Sequence, residues 1–146
     1  MSFEDKEKIN VVMMIEVIGK PPEHLVETLK DIIKNIGEEK GVKIIEEKIK
    51  EPTGLKDSKD FFTSFAEVEI EVEEMLVLVG LMFKYMPAHV EIVSPENIKM
   101  QNNDLGDTFN ELLTKLHRYD EIARVLQVEK NILEKKLKAL GGDKGK

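Results

Sequence analysis

Apolar residues recur along this chain with changing period, and each period predicts its own element. From Ile9 to Ile18, Val, Ile and Met occupy both parities, as in a central strand with both faces at least partly covered. Pro21 and Pro22 then introduce Leu25, Leu29, Ile32, Ile33 and Ile36, a stripe at helical spacing that ends at Gly37. Val42 to Lys50 reads as a second strand, after which Pro52 and Gly54 open a charged loop running to Asp60. In the third strand Ala66, Val68, Ile70 and Val72 alternate with Glu67, Glu69, Glu71 and Glu73. Glu74 to Met86 is helical and apolar almost all round, so its second side must meet helix one, the C-terminal stretch or another subunit. Pro87 stops it, and His89 to Val93 supplies a fourth strand before the turn signal Ser94-Pro95. The order strand, helix, strand, strand, helix, strand predicts an α+β fold: a ferredoxin-like βαββαβ sandwich with an antiparallel sheet and two helices on one face.

Beyond residue 100 the period changes again. Leu105, Phe109, Leu112, Leu116, Tyr119, Ala123, Leu126, Lys130, Leu133, Leu137 and Leu140 follow one another in alternating steps of four and three, the a/d spacing of a coiled coil, with Lys130 the only polar member. One helix from Asp104 to Leu140 would be about 55 Å long, whereas a domain of about 100 residues has a radius of gyration of roughly 13 Å. Such a helix either finds a partner or breaks and folds back, and Asp120 is a candidate N-cap for a fresh helix in a hairpin. Asn103 or Asp104 can cap the start, and Gly141 and Gly142 end it. Leu113, Ile122, Val125 and Ile132 widen the stripe beyond a two-residue seam, which suits packing against more than one neighbour. The expected organisation is residues 1–100 as the ferredoxin-like domain, 101–140 as a helical, coiled-coil-like arm and 141–146 as a disordered tail. Association is expected to run through Leu105, Phe109, Leu112, Leu116, Tyr119, Leu126, Leu133 and Leu137.

The sheet predicts a second surface. If Val11, Met13, Ile15 and Val17 face the helices, Val12, Met14 and Ile18 face the side where the glutamates stand, and an apolar stripe on an open sheet needs cover. Glu69 and Glu71 of strand three, with His89 and Glu91 of strand four, form a candidate ligand or metal set, since carboxylates suit hard cations and imidazole suits transition metals. A solvated sheet face explains the same residues. Side chains two apart on one strand stand roughly 7 Å apart, so a second strand would have to complete any chelate.

Composition narrows the chemistry. The chain has 146 residues and no cysteine, which removes disulfides, thiolate nucleophiles and Cys-based zinc sites. Its three histidines are not spaced as helical metal ligands, and no nucleophile elbow, phosphate-binding glycine loop or Asp-rich calcium loop occurs. No cofactor is implied. Residues 1–100 carry 13 Lys/Arg against 21 Asp/Glu, and 101–146 carry 9 against 8. An acidic body of this kind repels nucleic acid and anionic membrane, and the basic end of the last helix suits its macrodipole. Glu and Lys, 21 and 20 in number, far exceed the 2 Gln, a balance expected of thermophile proteins. No apolar run reaches membrane-spanning length and Met1 to Asn10 lacks a signal-peptide core, so a cytoplasmic protein is expected.

The string from His89 to Pro95 resembles a segment in the ferredoxin-like C-terminal extension of WYL-domain transcription regulators. The likeness covers seven residues, without a WYL domain or a helix-turn-helix ahead of it, and carries over no functional residue. Together these patterns predict a non-enzymatic assembly or regulatory module that forms a homo-oligomer. The alternatives are a sensor of a small ligand or divalent metal at a subunit interface, and an enzyme using paired carboxylates.

Overall fold

The computed structural model describes residues 7–141. In chain order its elements are β1 (Ile9–Gly19), α1 (Pro22–Glu38), β2 (Val42–Ile49), β3 (Thr53–Gly54), β4 (Phe62–Val72), α2 (Met75–Tyr85), β5 (His89–Ser94) and α3 (Asn102–Gly141). The sheet runs β2-β4-β1-β5 with every neighbour antiparallel, and β3 adds a short pairing to β4. Apart from β3, this is the βαββαβ order that the hydrophobic pattern predicts, followed by a long C-terminal helix.

Strand parity sorts the side chains. Val11, Met13 and Ile15 of β1 and Ala66, Val68, Ile70 and Val72 of β4 are buried, facing Leu29, Ile33 and Ile36 of α1 and Leu78 and Leu81 of α2 in one cluster. Each fully buried aliphatic side chain of this kind is worth roughly 1.5–3 kcal/mol, so the two helices are held to one face of the sheet. Gly37 lies inside the last turn of α1 and does not end it; a Cβ there would stand 3.0 Å from Ile44, so the glycine lets helix and strand approach. Gly41 follows with a φ of +81°, the left-handed conformation needed to turn the chain into β2.

Several local expectations differ from the structure. The segment after Pro52 contains the two-residue β3 within the predicted loop, because Thr53 and Gly54 pair with Thr63 and Phe62. Helix α3 starts at Asn102, with the Leu105 amide donating to the Gln101 carbonyl, so Asn103 and Asp104 lie inside the first turn and do not cap it. It also runs unbroken to Gly141 as one helix and not a hairpin. Asp120 does not restart it: its carboxylate accepts from Arg124 Nε at 3.1 Å, one turn further on. Of the predicted disordered tail, Gly141 is helical and residues 142–146 lie outside the described residues.

Internal contacts divide the chain into two compact units, with the boundary between Thr108 and Phe109. The first turns of α3 belong to the sheet unit, where Thr108 is buried and its hydroxyl donates to the Asp104 carbonyl at 2.9 Å. The second unit is the remainder of α3. No helix among the described residues is long and apolar enough to cross a membrane.

Candidate functional site

Pairing register fixes what shares the face of the sheet away from the helices. One cross-strand row runs Lys43, Glu71, Asn10 and Ser94; the next Glu46, Glu69, Val12 and Glu91; the next Lys48, Glu67, Met14 and His89. Glu46 joins this face because β2 bulges between Ile44 and Glu46, and one extra residue moves every later side chain to the other side. The outer rows set lysine opposite glutamate, while the middle row sets Glu46 opposite Glu69. Between the charges lie Val12 and Met14, half-buried, with Ile18 exposed toward the end of β1.

The register brings the four candidate ligand residues to one face without gathering them around a point. Glu69 and Glu91 stand on either side of Val12, two strand spacings or about 9.6 Å apart along the row. His89 sits opposite Met14, and Glu71 faces Lys8, whose ammonium lies 3.6 Å from the carboxylate. Among the described residues no group of three or more His, Asp or Glu side chains could hold a metal ion. Glu71 does line a small notch of about 120 Å³, together with Lys8, Gly41, Val42, Lys43 and Glu73. Two ammonium and two carboxylate groups around one concavity offer both signs of charge to a small polar molecule.

A tight polar cluster sits on the helical side. Tyr85, the last residue of α2, donates its hydroxyl to Glu39 Oε2 at 2.6 Å, and Lys84 Nζ lies 2.6 Å from the same oxygen. The Lys84 and Tyr85 hydrogen bonds hold the Glu39 carboxyl below its ordinary range. Burial, then the Glu39 carboxylate, push the Tyr85 phenol up to about 12. The cluster ties the residue that caps α1 to the end of α2. Sequence reasoning missed it: the partners are 46 residues apart, and neither sits in a motif.

In the second unit, all residues from Leu116 to Leu140 are exposed. The seam is therefore an apolar stripe in water: Leu116 is 55%, Leu126 57% and Leu140 82% exposed, and Phe109, Leu133 and Leu137 are exposed with them. Leu112 is half-buried, Tyr119 is 45% exposed, and Leu105 stands in the sheet unit's part of α3. Polar neighbours pair along the helix: Lys115 with Glu111, Arg124 with Asp120 and Lys130 with Glu134. Such pairs at four-residue spacing each add about 0.2–0.5 kcal/mol to an exposed helix. They support the helix and leave its apolar stripe uncovered.

No curated protein and no solved structure matches the chain. One family profile, described as the MJ0538 family, matches residues 10–140, a span that takes in nearly all of β1 and reaches almost to the end of α3.

Proposed function

The chain belongs to the MJ0538 family, and from that premise and the surfaces described above we propose that it is a non-enzymatic, cytoplasmic assembly or regulatory module. It forms a homo-oligomer through α3, with the open sheet face as a second association surface. One observation carries this reading: a helix of 40 residues keeps a heptad stripe of leucines, and from Leu116 to Leu140 every side chain is exposed. Most helical stability in proteins comes from packing an apolar face, and a long helix with an uncovered stripe gains that packing only by association. Val12 and Met14, set between charged rows on the sheet, are the smaller apolar surface that a neighbour would cover.

The test is the solution molar mass by light scattering on a sizing column, over a range of concentrations. A stable multiple of the 16.7 kDa chain supports the reading. A mass near one chain throughout overturns it.

A second reading rests on the notch lined by Lys8, Lys43, Glu71 and Glu73: a sensing domain for a small ligand carrying charge. A saturable heat of binding or a rise in melting temperature with a small zwitterion would support it, because a ligand that binds only the folded state stabilises it. Flat titrations up to millimolar concentration would remove it.

A further inference from the structure

We propose that α3 pairs with α3 of a second copy in the antiparallel sense, about a two-fold axis passing between Ala123 and Leu126; this rests on the assembly reading above and gives it a geometry. The steps of four and three place Phe109, Leu116, Ala123, Lys130 and Leu137 at a positions, and the other seam residues at d. A parallel, in-register pair stacks each position on its own copy. It would set Ala123 against Ala123, leaving a gap in the middle of the seam, and Lys130 against Lys130, putting two ammonium groups in one layer.

An antiparallel pair faces a with d. The register that covers the stretch Phe109–Leu140 sets Phe109 against the second copy's Leu140, which uses the helix from the first residue of its own compact unit to the last leucine. At the centre, Ala123 then meets the second copy's Leu126, a small residue against a large one, which fills the layer. Lys130 meets the second copy's Tyr119, whose ring face and hydroxyl both accept an ammonium group. The only polar member of the seam thus gains a partner of suitable chemistry in place of its own charge.

Rim charges do not reverse this choice. A parallel pair would bring Lys115 near the second copy's Asp120 but Glu129 near its Glu134, and the antiparallel pair brings Lys115 near the second copy's Lys136. Exposed pairs of this kind contribute about 0–1 kcal/mol, and Lys115 already has Glu111 at 3.7 Å in its own helix. Lys130 keeps its own Glu134 at 3.9 Å, which is available in either arrangement.

The absence of native cysteine makes the test direct. Two full-length variants, Leu116→Cys and Leu133→Cys, are oxidised separately and as a pre-equilibrated equal mixture, after light scattering has shown the assembly state of each. In the antiparallel register these positions face one another, while two copies of Leu116 stand roughly 25 Å apart, far beyond the ~7 Å limit between α-carbons for a disulfide. The expected result is a cross-linked dimer in the mixture and little from either variant alone. Cross-linking of Leu116→Cys with itself, or none in the mixture although the mass is a multiple, overturns the antiparallel register and leaves the assembly reading standing. A mass of one chain for the unsubstituted protein overturns both.

Discussion

Leu126→Ala is the sharpest test of what α3 does. The leucine is 57% exposed in the single chain, so the variant removes little that the isolated fold uses, and alanine is at least as good a helix former. In an assembly the exposed part becomes buried. Complete burial of a leucine is worth roughly 1.5–3 kcal/mol, so covering this fraction adds about 0.9–1.7 kcal/mol per copy, and about 1.7–3.4 kcal/mol when two copies contribute. At about 1.4 kcal/mol per tenfold in Kd, association should weaken roughly 15- to 300-fold. Sedimentation equilibrium at several loading concentrations reads that change, while far-UV circular dichroism shows the helix and sheet retained. Leu126→Asp, which places a charge in the seam, should dissociate the assembly outright. Leu29→Ala is the contrasting control: it opens a cavity at a fully buried position, costing about 2–5 kcal/mol of folding stability. Equal Kd values for Leu126→Ala and the parent would show that the α3 stripe does not carry association.

Removing the phenol by Tyr85→Phe should cost about 1 kcal/mol, since Glu39 loses one of its two side-chain donors. Because the folded phenol titrates near 12 and the ordinary value is 10.0, the parent's stability should be intact below pH 10 and fall as pH rises toward 12. Urea titrations across that window should show the slope in the parent and a weaker one in Tyr85→Phe; equal slopes would contradict the assignment. Gly41→Ala forces a side chain into left-handed backbone beside Val77 and Glu73, at a cost of about 1–2 kcal/mol, whereas Gly54→Ala meets nothing and should melt with the parent. Glu46→Lys turns a like-charge cross-strand pair with Glu69 into an opposite one, and thermal melts should show a gain of about 0.2–1 kcal/mol that shrinks in high salt.

Elements whose order is set by local pattern were legible in the sequence. The strict alternation of β4 and the helical stripe of α1 each encode both the element and its buried face, and the breaks at Pro21-Pro22, Pro52, Pro87 and Pro95 separate the rest. The features that differ depend on pairings between distant residues. The bulge in β2 cannot be read from Val42 to Ile49, because it exists only relative to β4, yet it decides that Glu46 and not Ile45 stands opposite Glu69. Likewise, nothing within His89 to Ser94 itself says which face His89 and Glu91 take, and the pairing of β5 with β1 places them on the glutamate side. Sharing a face was legible in outline; convergence on a point was not, since it needs separations across strands. The Glu39, Lys84 and Tyr85 cluster lay beyond reach for the same reason.

Both outermost strands of the sheet are interrupted. In β2 the register shifts between Ile44 and Glu46, and in β5 it shifts opposite Asn10 and Val11, where Val93 is left without a partner on β1. A flat, regular border would offer its free amides and carbonyls to any extended chain that drifted past, and copies could then add without end. Two bulged borders, one of them only six residues long and followed by Pro95, deny that template. Strand addition is thereby disfavoured on both sides, so the exposed leucines of α3 are not accompanied by an open sheet border as a second route to fibres.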